Sequence, residues 1–354
     1  MKYSIIIPVY NRPDECDELL QSLCRQTLPK REFEVVVVED GSVRTCEKEC
    51  QAYSDRLDLH YYKKENGGPG SARNYGVERA QGDYVIILDS DVVLPDGYLQ
   101  EIETELASQP CDAFGGPDRA HESFTQMQRA ISYSMTSFFT TGGIRGGKKK
   151  LDKFFPRSFN MGIRRDIYQQ LGGFSKMRFG EDIDFSYRII EAGHTTRLFP
   201  KAWVWHKRRT NLDQFFKQVY NSGIARINLG LRHPGTTRLV HALPALFTVG
   251  VILLLVCAVA LRLWAYSSSA GGMQLLGLPS SLWWVLPLLP ILLFIVLIFT
   301  DSSVRNRSLV IGFLSVEAAF VQLFGYGFGF LKAWWVRNVQ KKGEFSAFEK
   351  NFYD

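Results

Sequence analysis

Four short runs in the first 90 residues are rich in Ile, Val and Tyr: YSIIIPV (3–9), FEVVVVED (33–40), LHYYKK (59–64) and YVIILD (84–89). Two are nearly continuous in apolar residues, the pattern of strands buried on both faces. Between them, residues 11–27, 43–57 and 69–81 carry apolar positions at helical spacing. Asn11 and Pro13 stand where a cap and a first helical residue belong. Strands alternating with helices of this length predict parallel β-α-β units, an α/β fold. Later, residues 158–174 read as a strand, a turn and a helix ending in glycines, and residues 179–193 as a helix closed by Gly193.

The pattern changes near residue 238. Residues 240–261 form 22 positions without a formal charge, and residues 282–299 form 18 more, with Pro287 and Pro290 among them. A third run, 309–331, is interrupted by Glu317 and Gln322 and contains Gly325, Gly327 and Gly329, which are expected to loosen it. About 20 apolar residues cross a bilayer, so two or three membrane helices are expected, with Glu317 a candidate functional residue. Residues 211–231 set Phe216, Tyr220, Ile224, Ile227 and Leu231 near helical spacing, as in a helix lying on a membrane surface. The expected division is a catalytic domain over 1–210, an amphipathic linker over 211–238, a membrane region over 239–336 and a basic tail over 337–354.

Charge refines the picture. The 354-residue chain has a net charge of +6. Its basic residues cluster at 146–150, 206–209, 231–238 and in the tail, two of these groups flanking apolar segments, so the balance indicates membrane contact and no nucleic acid. The loop 263–281 lacks Lys and Arg, whereas 300–307 carries Arg305 and Arg307. The first part of the chain is therefore expected on the cytoplasmic face of the cell (inner) membrane; a third full crossing would put the basic tail outside, against that rule. The start of the chain reads as a strand, with no secretory leader. The six cysteines show no CxxC pair, so sequence spacing indicates neither a zinc site nor a disulfide framework.

The candidate chemistry lies where strands end. In such sheets ligands bind beyond the carboxyl ends of the strands, which here offer Tyr10, Asp40 and Asp89 with Asp91. Residues two apart on an extended chain share a face, so Asp89 and Asp91 repel unless a cation meets them. Mg2+ commonly takes one or two carboxylates plus phosphate oxygens, and a divalent metal carrying a phosphorylated ligand is expected. The loop ENGGPGSARNYG (65–76) is glycine-rich and leads into a helix, an arrangement that lets backbone amides meet a phosphate, with Arg73 adding charge. Asp182, at a helix start, suits a carboxylate held ionised as a base.

Taken in order, SIIIPVYNRPD, VVVVEDGS, NGGPGSARNYG, IILDSD, FNMGIRRDIYQQLGGF, GEDIDFSYRI and VWHKRR resemble the family 2 glycosyltransferases of the GT-A fold, over residues 3 to about 210. The resemblance implies that Pro8, Val9 and Tyr10 line a nucleoside pocket. It implies that Asp40 reads a uracil edge, that Arg73 contacts the nucleotide, and that Asp89 faces the ribose and the metal. Asp91 and His206 would hold Mg2+ or Mn2+, Asp182 would be the catalytic base, and Glu181, Asn160, Arg164 and Arg165 would shape the acceptor side. EDGS stands where DDGS is more frequent, and no QxxRW occurs, which argues against a processive synthase. The expected activity is inverting transfer of one sugar from a nucleotide sugar, UDP first, to a hydroxyl of a lipid-linked or membrane acceptor. The alternatives are transfer to a polyprenyl phosphate, where loss of Asp182 should matter little, and a non-catalytic nucleotide-sugar-binding subunit of an envelope-assembly complex. A transporter is disfavoured by the few spans.

Overall fold

The computed structural model describes residues 1–119, 124–141, 154–177, 179–207, 209–267, 274–275 and 278–344. The basic residues at 146–150, Arg208 and the last ten residues of the tail lie outside the described residues. The chain divides into two compact units, Met1–Ser123 with Lys149–Lys207, and Phe124–Lys148 with Arg208–Asp354.

The strands of the first unit are β1 (Tyr3–Val9), β2 (Phe33–Asp40), β3 (Leu59–Lys64), β4 (Tyr84–Leu88), β5 (Val92–Val93), β6 (Ala113–Gly115), β7 (Asp118–Arg119), β8 (Asn160–Arg164), β9 (Thr196–Leu198) and β10 (Val204–His206). Its helices are α1 (Pro13–Cys24), α2 (Glu47–Tyr53), α3 (Pro69–Val77) and α4 (Tyr98–Ser108), and later two more that frame the site. Seven strands form the main sheet in the order β3-β2-β1-β4-β8-β6-β9. β8 runs antiparallel to both its neighbours; the other pairs are parallel.

Alternate residues of the central strands serve two cores. Ile5, Ile7, Val35, Val37 and Ile86 pack with Leu19, Leu20 and Leu23 of α1 and with Leu99 and Ile102 of α4. Ile6, Val36, Val38, Val85 and Ile87 face the other way, onto Ala72 and Val77 of α3. Both faces are covered, which is why these strands read as nearly unbroken apolar runs. The strand order reverses between β1 and β4, the position where open α/β sheets form a crevice. A second, three-stranded sheet, β5-β10-β7, pairs His206 with Val92 and Trp205 with Val93.

The second unit contains α5 (Gln126–Thr136) and α6 (Phe138–Thr141), then, after α7 (Arg165–Gln170) and α8 (Glu181–Glu191) of the first unit, α9 (Leu212–Arg232), α10 (Leu243–Ser267), α11 (Leu289–Asn306) and α12 (Leu309–Asn338). Three stretches are long and apolar enough to cross a membrane: Leu239–Tyr266, Ser281–Asn306 and Leu309–Asn338. Leu246, Leu253, Val256 and Leu293 point outward, as lipid-facing side chains do. At 30 residues α12 is continuous and about 45 Å long.

The expectation for residues 211–231 changes here. α9 packs against α12, and glycines make the close approach possible. A Cβ on Gly223 would stand 2.2 Å from the Tyr326 carbonyl oxygen, and one on Gly329 2.0 Å from that of Tyr220. Gly325 meets Val219 and Phe216, and Gly327 meets Thr248 and Pro244. The glycines expected to loosen the third apolar run are thus its packing surface. Glu317 lies on the exposed side of α12. Where α11 meets α12, the Ser302 and Ser315 hydroxyls are hydrogen-bonded at 2.7 Å in a buried position.

Candidate active site

The end of β4 places Asp89 and Asp91 at the rim, and the β5–β10 ladder carries His206 to them. The Lys207 amide donates to the Asp91 carbonyl at 3.0 Å, fixing that register. Asp89, Asp91 and His206 each offer one ligand atom, and the three atoms lie within 4.8 Å of one another. The His206 Nε2 is 3.2 Å from Asp91 Oδ1, and the ring stacks on Phe159 at 5.0 Å between centroids. Two carboxylate oxygens and one imidazole nitrogen form a donor set in which oxygen predominates, which fits Mg2+ or Mn2+.

The two aspartates also meet fixed cations. Arg73, 4% exposed, donates to Asp89 Oδ1 at 2.8 Å and to Glu181 Oε1 at 2.9 Å. Arg12 donates to Asp91 Oδ2 at 3.0 Å and also pairs with Glu15. Arg73 therefore ties the end of β4 to the first turn of α8, and its two terminal nitrogens are engaged by protein carboxylates. Arg73→Met is expected to destabilise the full chain by about 3 kcal/mol, because Asp89 and Glu181 lose their shared partner. Thermal unfolding of the purified protein checks this; Arg73→Lys should recover only part, since a point charge cannot bridge both carboxylates.

α8 begins at Glu181, after Gly180 in the left-handed region at φ 83°. Arg188 holds the helix in place by donating to the carbonyls of Leu171 and Gly173 and to Asp184. Asp182 Oδ2 accepts from Arg157 Nε at 2.6 Å, and Oδ1 accepts from the Ile183 amide at 2.9 Å. Burial opposes ionisation of Asp182. The charge and hydrogen bond of Arg157, aided by Arg73, nevertheless hold its carboxyl below the usual aspartate range. Glu181 moves the opposite way: burial raises its carboxyl against the pull of Arg73, and neighbouring Asp182 raises it further.

The glycine-rich loop has a different occupant from the one expected. The amides of Gly67 and Gly68 donate to the two carboxylate oxygens of Asp40 at 2.9 and 2.8 Å, and Lys64 Nζ adds a contact at 2.7 Å. The anion these amides hold is Asp40 itself. Asn11 is not the cap of α1: Arg12 occupies that position and Pro13 begins the helix. Instead Asn11, at φ 55°, accepts from the amides of Val43 and Arg44, and its own amide donates to Ser42, clamping together the loops after β1 and β2. Pro8 and Tyr10 are half-buried beside them, and Val9 is buried in the core.

The proposed acceptor residues separate. β8 runs antiparallel to β4, so Asn160 pairs with Leu88 at the site rim, whereas Arg164 pairs with Tyr84 at the far end of the strand. Asn160 is buried between the Tyr98 hydroxyl and the Ala202 carbonyl. Arg164 pairs with Asp166, and Arg165 donates to the carbonyls of Gly82 and Ala80. Arg164 and Arg165 are therefore structural residues away from the cleft, an outcome of the antiparallel strand direction. The sequence reading also passed over Arg12, Lys64, Phe159 and Arg157. Arg12 stands inside a motif already singled out, but Arg157 reaches Asp182 across 25 positions with no local signal.

Residues 4–172 match the model for glycosyl transferase family 2. A stretch of 93 residues, 26% of this chain and 16% of the relative, is 43% identical to the poly(ribitol-phosphate) beta-N-acetylglucosaminyltransferase TarS of Staphylococcus aureus. The chain thus spans under a fifth of that protein's length. The glycosyltransferase AglE of Haloferax volcanii is 24% identical over 253 residues, 70% of this chain and 81% of AglE. The pre-mycofactocin glycosyltransferase of Mycobacterium tuberculosis is 28% identical over 255 residues, 66% of this chain and 48% of that one. Among solved structures, the mannosyltransferase PcManGT of Pyrobaculum calidifontis, in complex with GDP-Man and Mn2+, superposes with a TM-score of 0.57 at 19% identity, covering 91% of this chain and 87% of the other. That likeness shows the fold, a mostly parallel sheet of the GT-A type. Over residues 4–172, the chain is similar to glycosyl transferase family 2.

Proposed function

We propose that this chain is a membrane-anchored, metal-dependent, inverting glycosyltransferase. It moves a single sugar from a nucleotide sugar, UDP first among candidates, to a lipid-linked or membrane acceptor. The observation that carries this is the convergence of Asp89, Asp91 and His206, joined through Arg73 to the Glu181–Asp182 pair at the start of α8.

In this reading Asp89, Asp91 and His206 hold Mg2+ or Mn2+, which when bound neutralises the charge developing on the leaving diphosphate. Asp182, kept ionised, receives the proton of the acceptor hydroxyl as its oxygen approaches the anomeric carbon. One displacement from the face opposite the leaving group inverts that carbon. Arg157 orients the Asp182 carboxylate and limits its basicity. Pro8 and Tyr10 flank the nucleoside, while Asp40 acts through the loop it holds together. The spanning helices support an acceptor that is itself a membrane component, with the first unit on the cytoplasmic face.

The arginine bound to Asp182 favours a second reading in which the acceptor is a polyprenyl phosphate. Such an acceptor arrives as an anion, which Arg157 could meet, and needs no base. A panel of labelled nucleotide sugars incubated with membranes containing the chain is expected to label an organic-extractable lipid from one donor. If no donor labels any membrane component above membranes lacking the chain, the transferase reading fails and a binding subunit takes its place.

A further inference from the structure

The fold gathers three cysteines that sequence spacing kept apart. Cys16 comes from α1, Cys46 from the residue before α2, and Cys50 from one turn along that helix. Their sulfurs all lie within 4.8 Å of one another, and Cys46 and Cys50 are 4.0 Å apart. All three residues are at most 2% exposed. A fourth group stands at the edge of the cluster: Glu39, also 2% exposed, has Oε2 at 3.2 Å from Cys46 Sγ. The same oxygen accepts from the Cys46 amide at 2.8 Å and the Tyr61 hydroxyl at 3.2 Å.

We infer that Cys16, Cys46, Cys50 and Glu39 form a second metal site, for a thiophilic ion of the Zn2+ class, separate from the transfer site. Tetrahedral zinc with sulfur ligands at about 2.3 Å places those sulfurs about 3.8 Å apart, and a carboxylate oxygen about 3.6 Å from each. The 4.0 Å between Cys46 and Cys50 needs only a small contraction to reach this, and Glu39 would turn from Cys46 toward the ion. Three thiolates and a carboxylate around Zn2+ leave the same net charge as a four-cysteine site, a common structural arrangement. Binding releases the thiol protons to solvent, so affinity rises with pH. Tyr61 and the Cys46 amide already orient the carboxylate, as outer partners orient metal ligands elsewhere.

The site's place in the fold suggests its use. Glu39 also hydrogen-bonds Ser42, whose hydroxyl accepts from the Asn11 amide. A metal at the cysteines would fix α1, α2 and the loop after β2 relative to one another, beneath the rim where Asp40 stands.

The test uses the full chain purified in detergent, titrated with Co2+. Thiolate ligands give a sulfur-to-cobalt charge-transfer absorption that the Asp89–Asp91–His206 set cannot. The expected result is this absorption at one equivalent in the wild type, retained in Asp91→Ala, lost in Cys46→Ser, and displaced by Zn2+. Folded wild-type protein that takes up cobalt without charge transfer would overturn the proposal, as would an absorption that survives Cys46→Ser. The wild-type reading stands if Cys46→Ser fails to fold, and it is independent of sugar transfer.

Discussion

Asp91→Ala is expected to lower kcat/KM for sugar transfer by roughly three orders of magnitude, comparable to removing a principal charge-stabilising group from a transition state. Asp91 contacts His206 directly, at 3.2 Å, and also pairs with Arg12. Removing it breaks up the ligand set and leaves Arg12 paired with Glu15 alone of these two carboxylates. The loss should persist at high divalent-metal concentration, since the metal loses a carboxylate anchor rather than affinity alone. Thermal unfolding of the variant should change little beside this loss. Asp91 closes the strand end and is absent from both apolar cores of the sheet. Turnover of a labelled donor in membranes, compared at equal expression, measures the effect.

Asp182→Asn is the second large effect, expected at about two to four orders of magnitude in kcat for a hydroxyl acceptor, the usual worth of a positioned base. The amide keeps the size of the carboxylate and can still accept from the Ile183 amide, so the α8 start should survive. The pH dependence has a definite sign. Arg157, working against burial, holds the folded-state carboxyl of Asp182 below its ordinary range. A group depressed in the folded state contributes stability above its unfolded pKa, and that contribution is lost as pH falls through the folded value. The acid limb of the kcat profile should therefore lie below the ordinary aspartate range, and activity should be flat from mildly acidic to neutral pH. An acid limb near neutrality would assign the proton transfer to another group. A variant with nearly full activity would favour the anionic polyprenyl-phosphate acceptor.

Much of the fold was legible because its signals are local. β1, β2 and β3 match the apolar runs at 3–9, 33–40 and 59–64, and β4 ends one residue before Asp89. Apolar strands covered on both faces leave little ambiguity. The membrane helices were legible for the same reason, by length and lack of charge. What failed was directional or long-range. Arg164 and Arg165 lie at the wrong end because β8 is antiparallel, and strand direction leaves no mark on a five-residue run. Helical periodicity marked Phe216, Tyr220, Ile224, Ile227 and Leu231 on α9, but of these only Ile224 is buried; Phe215, Val219 and Leu229 are buried too, and the partner α12 left no local signal. The glycines of 65–76 read as a phosphate cradle, and the sequence could not show that Asp40, from 27 residues earlier, fills it. Arg157 and the three cysteines are likewise meetings of distant residues.

The central claim is that Asp89, Asp91 and His206 bind a divalent metal together with a nucleoside diphosphate. Electron paramagnetic resonance of Mn2+ titrated into the purified chain with UDP tests this most directly. The account predicts saturable Mn2+ binding that UDP strengthens and that both Asp91→Ala and His206→Ala abolish; binding of equal affinity in the wild type and Asp91→Ala would contradict it.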